Sequence, residues 1–353
     1  MSQMMEEILQ QPAALGGVRK FYASPGAIPD KALRKLVSRW PPTVVFTGMG
    51  SSLNAAIPAQ AFLTSLGIRT WVWETAELLH HHMKALHRDT LLVAVSQSGE
   101  TVEIVRLLDS LPARMGVVAL ANVEASTLAR RASLSLPMMA GHQTSVSTKT
   151  YTCAVAALMY LAFAIARRSH RPLTETILRA IEAQESILDH RDILTPPTLE
   201  FFDAPPYVAL MSRGPDLASV YQGALMFKEV ARLAAEPISA AQFRHGPIEI
   251  VQPAHRYIVF ARRGLHARGP RTAELTLGLA RDIQSHGGRV LLITDQPFEV
   301  VSNTRLIRVD PLQTCMGTLV DILFIQLLVH DLAVRDGREP GKFWIAHGVT
   351  RTE

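Results

Sequence analysis

Short apolar runs, each closed by turn residues, recur along the chain in two series. The first series is TVVFTGMG (43–50), TLLVAVS (90–96), GVVALA (116–121) and ASLSLP (132–137). The second is YVALMSRG (207–214), RYIVFA (256–261), RVLLIT (289–294) and TRLIRV (304–309). Between the runs lie segments with the apolar spacing of helices, such as 101–111 and 272–285. Continuous apolar strands alternating with amphipathic helices predict a parallel sheet covered on both faces, because only there is each side of a strand removed from water. The expected fold class is α/β: two doubly wound parallel sheets in tandem, three-layer αβα units of flavodoxin-like or Rossmann-like type.

Even spacing of strands alone would not establish a duplication. The matching starts do more, since in both halves a strand ends near a glycine, Gly50 or Gly214, and leads into an Ala-rich helix. The stretch TPPTLEFFDAPP (195–206) is the expected boundary, its prolines ending a helix near Arg191. The expected organisation is therefore a helical segment 1–40, a first domain 41–195, a second domain 205–340 and a tail 341–353.

Composition narrows the partners. The 353 residues are 48% hydrophobic and 19% charged, enough for two cores. The formal charge of +5 is dispersed and aromatics are only 6%, which argues against a nucleic-acid surface and suits a small anion. Cys153 and Cys315 lie far apart, excluding a disulfide scaffold and pointing to a reducing compartment. The uncharged run CAVAALMYLAFAIA (153–166) falls short of the roughly 20 residues of a membrane span and predicts a buried core helix. The first residues, MSQMMEEILQQPAAL, lack the pattern of a secretory leader, so a cytoplasmic protein is expected.

Three strand-to-helix junctions carry hydroxyls. Gly50-Ser51-Ser52, Ser96-Gln97-Ser98-Gly99-Glu100-Thr101 and Ser147-Thr148-Lys149 each place Ser or Thr where a helix begins and backbone N–H groups are unpaired. Together they could surround one tetrahedral anion beyond the carboxyl ends of the strands. A serine before a helix is usually only a cap, and for Ser51 or Ser147 alone that reading is preferred. SQSGET holds more hydroxyl and amide groups than capping requires.

GMGSSLNAA, SQSGET, STKTYT and QGALMFKEVARLAAEPISAAQFRHGP together resemble the sugar isomerase (SIS) domain family, especially the isomerase half of the glutamine–fructose-6-phosphate amidotransferases. The resemblance implies two SIS domains, a sugar phosphate or similar anionic sugar as ligand, and a homodimer with shared active sites. It further implies that Ser52, Ser96, Gln97, Ser98 and Thr101 hold the phosphate and that the loop at Ser147 closes over the sugar. By the same resemblance Glu229 is the base that moves a proton between two sugar carbons, and His245 assists ring opening from the neighbouring subunit. A carboxylate and an imidazole suffice for an aldose–ketose isomerisation through an enediol, which needs no cofactor. Without the resemblance, Glu229 beside Lys228 would be taken for a solvated helix carboxylate, and His245 for a loop histidine.

Departures shape the expected chemistry. Two lysines that serve imine chemistry in ammonia-using relatives are missing: Met226 stands at one position and His347-Gly348 at the other. His347, on a tail that the resemblance brings to the active site, is a candidate proton shuttle or hydroxyl ligand, with a plain tail histidine as the alternative. No cysteine stands near the start to release ammonia from glutamine, so glutamine-dependent synthesis is not expected. Gln143 replaces a glutamate common in relatives, one residue is missing between Val146 and Ser147, and an altered substrate is plausible. An amino-sugar-phosphate deaminase or deglycase is the nearest alternative, and a sugar-phosphate-sensing module the alternative of another class.

Other signals are discounted. His80, His81 and His82 are adjacent, so on a helix they point about 100° apart and do not converge on a metal. Arg262, Arg263, Arg268 and Arg271 are expected to form a solvated basic loop. GMGSSL lacks the third glycine and acidic partner of a dinucleotide site.

Overall fold

The computed structural model describes residues 1–112, 115–203, 205–263, 269–313 and 315–345. His347 and Arg268 lie outside the described residues. The chain divides into two compact units: an N-terminal unit of Gln10–Leu178 joined by the chain from Phe343, and a C-terminal unit of Arg179–Lys342 joined by Met1–Leu9. The first helix, Gln3–Leu9, thus belongs with the distant half of the sequence, where Ser2 Oγ lies 2.9 Å from His330 Nε2.

The N-terminal sheet holds β1 (Thr43–Gly48), β2 (Thr70–Glu74), β3 (Thr90–Ser96), β4 (Val117–Ala121) and β5 (Leu134–Pro137) in the order β2-β1-β3-β4-β5. The C-terminal sheet holds β6 (Val208–Ser212), β7 (Ala235–Ser239), β8 (Arg256–Ala261), β9 (Arg289–Thr294) and β10 (Thr304–Arg308) in the order β10-β9-β8-β6-β7. Every pairing is parallel. Renumbered within each unit, both orders are 2-1-3-4-5, the doubly wound arrangement expected from the sequence. The repeat extends to the backbone after the first strand, where Gly50 (φ +50°) and Gly214 (φ +62°) both take the left-handed conformation that glycine tolerates.

All residues of β1, β3 and β4 are buried, and so are those of β6 and β8. These are the strands whose apolar runs are continuous in the sequence. The helix Lys149–Ile165 is buried along nearly its whole length, as the run 153–166 predicts.

Two strands escape the pattern, β2 (TWVWE) and β7 (AEPIS). Both lie at a sheet edge and are mostly half-exposed, so neither carries a continuous apolar run. Pro237 is tolerated in β7 because an edge strand has one side free of ladder bonds.

The proline-rich stretch is also different from expectation. The chain from Arg191 to Phe202 is helical with Pro196 and Pro197 inside it. The prolines lie on the exposed side, as do Asp192 and Ile193 four residues earlier, so water can serve the carbonyls that lose their partners. The helix Leu217–Met226 is followed by a π turn, Phe227–Ala231, and Arg232 closes it in the left-handed region at φ +51°.

Candidate active site

In an open parallel sheet, ligands bind where the strand order reverses, beyond the carboxyl ends of the strands. In the N-terminal unit that point lies between β1 and β3, which pair directly from Thr43↔Thr90 to Thr47↔Ala94. The chain leaves β1 into Gly50-Ser51-Ser52 and leaves β3 into Gln97–Thr101, so two of the three hydroxyl junctions meet by topology. Ser51 and Ser52 occupy the first turn of a short helix, Ser51–Asn54, with Gly50 at its cap position. Ser51, for which a plain cap before the helix was the preferred reading, thus lies inside the helix.

Ser96 ends β3 and is 4% exposed. Its hydroxyl accepts the Gly99 N–H at 3.0 Å and lies 3.3 Å from Thr101 Oγ1. Ser98 Oγ accepts the Glu100 N–H at 3.2 Å. Thr101 precedes the helix Val102–Ser110, but its side chain makes no cap bond, so capping does not account for it. Gly99 sits at φ +67°, and a Cβ there would collide with Ser126.

Glu100 is a carboxylate in a loop read as anion-binding. Its Oε1 accepts the Thr127 N–H at 2.6 Å, at the start of the helix Thr127–Arg131. That bond, with Arg130 nearby, holds the carboxyl below its usual range. The charge is thereby committed to a neighbouring helix.

The third junction is organised by Gln143. Its Oε1 accepts the Thr150 N–H at 2.9 Å, and its amide donates to the Val146 carbonyl and to Thr148 Oγ1 at 3.3 Å. An unpaired donor at the start of the Lys149–Ile165 helix is thus met from seven residues upstream. Ser147 Oγ lies 2.7 Å from Thr150 Oγ1. Lys149 is 4% exposed, and its ammonium donates to Gln10 Oε1 at 2.5 Å.

Asn122, which sequence reasoning did not single out, joins these loops. Its N–H donates to the Gln97 carbonyl at 3.2 Å and its Nδ2 to the Gly141 carbonyl at 2.8 Å, while its Oδ1 accepts the Ala140 N–H at 3.0 Å. An asparagine directly after a strand was the available signal, though a weak one.

In the C-terminal unit Glu229 lies on the π turn Phe227–Ala231, half-buried between exposed Lys228 and buried Val230. Burial pushes its carboxyl up to about 7, with Lys228 opposing. No hydrogen bond engages the carboxylate among the described residues. His245 is exposed, and its backbone N–H donates to the Gln242 carbonyl at 2.9 Å. No hydrogen bond joins it to Glu229.

The discounted signals divide. His80 and His81 are exposed, but His82 is half-buried and stacks on Trp73 with ring centroids 5.0 Å apart. Among the described residues no cluster of three metal-ligating side chains occurs, and no helix is long and apolar enough to cross a membrane. Arg262 departs from the solvated loop expected: it is 6% exposed, because its guanidinium pairs with Asp321. Arg263 and Arg271 are exposed.

Comparison with known proteins bears on the fold and the family of domain. The chain is 27% identical over 345 residues to the glutamine–fructose-6-phosphate aminotransferase (isomerizing) of Pyrococcus horikoshii, covering 96% of this chain and 56% of that one. It spans little more than half the length of that relative. The tagatose-6-phosphate ketose/aldose isomerase of Escherichia coli superposes with a TM-score of 0.82 at 20% identity, covering 98% of this chain and 97% of the other. The glucosamine-6-phosphate deaminase of Thermotoga maritima gives 0.72 at 21% identity, with 99% of both chains covered. Residues 38–165 match the SIS domain. The match to the SIS domain lies within the N-terminal unit, and the second five-stranded sheet repeats the strand order of the first.

Proposed function

We propose that this chain is an aldose–ketose isomerase for a sugar phosphate or similar anionic sugar, working in the cytoplasm as a homodimer with shared sites. Glu229 is the base: its carboxylate takes the proton from one carbon of the open-chain sugar and returns it to the neighbouring carbon, the enediol lying between. His245 assists ring opening, in which the anomeric hydroxyl gives up a proton and the departing ring oxygen gains one. Ser52, Ser96, Gln97, Ser98 and Thr101 hold the anion, with Gly50 and Ser51 shaping the first loop and Ser147 facing the sugar. His347 serves as a further proton carrier or hydroxyl ligand.

The observation that carries this reading is the Glu229 carboxyl, desolvated, without a hydrogen bond and raised to about 7. A base is most effective when its pKa lies near the working pH, and an unengaged carboxylate has both oxygens available for a carbon acid. The names of the relatives support a sugar phosphate as substrate class, and the missing lysines favour an enediol over imine chemistry.

The test is turnover of a panel of aldose, ketose and amino-sugar 6-phosphates by purified protein, with product separation and an ammonia assay. Aldose–ketose conversion without ammonia supports the proposal. Stoichiometric ammonia would replace it with a deaminating isomerase, and tight binding without conversion would leave a sensor.

A further inference from the structure

The C-terminal unit has its own reversal point, between β6 and β8, which pair from Val208↔Arg256 to Met211↔Val259. The chain leaves β6 into Gly214-Pro215-Asp216 and leaves β8 into Arg262. These junctions correspond to Gly50–Ser52 and Gln97–Thr101 of the N-terminal unit. Where that unit presents hydroxyls, this one buries ions.

Arg262 donates from Nε to both oxygens of Asp321, at 2.9 and 3.0 Å, and from Nη2 to Asp321 Oδ1 at 2.5 Å. Its Nη1 donates to the Asp310 carbonyl at 3.0 Å. Asp321, on the helix Thr318–Arg335, is 0% exposed, and Asp216 is 8% exposed. The groups converge on Gly317: a Cβ there would lie 2.5 Å from Arg262 Cδ and 3.1 Å from Asp216 Oδ1. Asp295, at the end of β9, faces the same group while accepting the Arg263 N–H at 3.0 Å, and the Cys315 thiol lies beside Asp216.

One guanidinium therefore faces two buried carboxylates. Its donors are committed to Asp321 and the Asp310 carbonyl, leaving Asp216 as a surplus acid. A buried charge without a partner costs several kcal/mol, so the surplus acid keeps its proton. Burial and the nearby Asp321 push the Asp216 carboxyl up to about 8, with Arg262 opposing.

The cluster also ties together the elements around Glu229. Asp216 directly precedes the helix Leu217–Met226, which continues into the π turn bearing Glu229. Asp321 lies on the Thr318–Arg335 helix, which packs along both that helix and the π turn.

We infer that Asp216, Arg262 and Asp321 form a buried lock holding one proton, that this lock positions the helix leading to Glu229, and that it loosens in alkaline solution. The role in positioning rests on the reading of Glu229 proposed above; the proton and the loosening do not. An acid whose folded pKa lies above its unfolded value of about 3.9 contributes stability that is present at low pH and lost as pH rises through the folded value. The relevant window runs from about pH 4 to about pH 8.

The test compares the full chain with Asp216→Asn, which keeps shape and removes the ionisation. Urea unfolding between pH 6 and 9 should show the wild-type midpoint falling with pH, and the difference between the two proteins widening up to about pH 8 and levelling above it. Arg262→Lys, which keeps the charge but loses the fork, should steepen the fall. Parallel profiles for wild type and Asp216→Asn would overturn the lock. With a turned-over sugar phosphate, wild-type kcat should fall above about pH 8 while Asp216→Asn keeps its alkaline activity; an unmoved alkaline limb would overturn the positioning role. If no sugar is turned over, the reading of Glu229 fails and the urea profiles still decide the lock.

Discussion

Ser96 Oγ accepts the Gly99 N–H at 3.0 Å, folding the loop after β3 back onto the end of its strand. The turn depends on Gly99, whose φ of +67° and lack of a Cβ allow Ser126 to lie against it. Gly99→Ala should cost roughly 1–3 kcal/mol of stability, read from the urea midpoint, and should abolish sugar-phosphate binding. Adding Ser126→Gly should recover only part of both losses, because it restores space and leaves the backbone strained.

Gln143 carries the loop before the Lys149–Ile165 helix through one acceptor and two donor bonds. Gln143→Glu keeps the acceptor for Thr150 but sets a carboxylate oxygen against the Val146 carbonyl. A loss of about 1–3 kcal/mol in stability is expected, with weaker sugar binding measured by calorimetry. Unchanged affinity would separate this loop from the ligand site.

Glu229 acts as a base only when ionised, and its carboxyl is raised to about 7. Turnover should rise with pH through about 7. Lys228 opposes the shift, so Lys228→Met should move this acid limb to higher pH. Because the raised value means that ionisation at pH 8 disfavours the fold, Glu229→Gln should stabilise the protein there by on the order of 2 kcal/mol. Differential scanning calorimetry at pH 8 and pH 5 measures the difference, which should shrink at the lower pH.

Cys153 and Cys315 are buried, and burial pushes both thiols up to about 12. Neither should react with an aromatic disulfide reagent in the folded protein at pH 8, and both should react in urea. Rapid labelling of a native thiol would contradict the packing around it.

What the sequence revealed follows from where each residue is buried. β1, β3, β4, β6 and β8 are covered on both faces, and their apolar runs are legible directly. β2 and β7 lie at edges, where exposure and Pro237 erase the pattern. The hydroxyl loops were legible because their residues are close in sequence. Arg262 was not, because its partner Asp321 is 59 positions away and only the fold brings them together. Charge spacing alone makes Arg262 part of a surface loop. The desolvation of Glu229 was likewise invisible beside an exposed Lys228.

The most direct test of the central claim follows solvent deuterium into the sugar carbon. Incubated in deuterated water with a sugar phosphate it converts, the wild-type protein should place deuterium at the carbon that exchanges its proton. Glu229→Gln should bind the same sugar phosphate with wild-type affinity and incorporate none. Exchange by Glu229→Gln at the wild-type rate would contradict the assignment of Glu229 as the base.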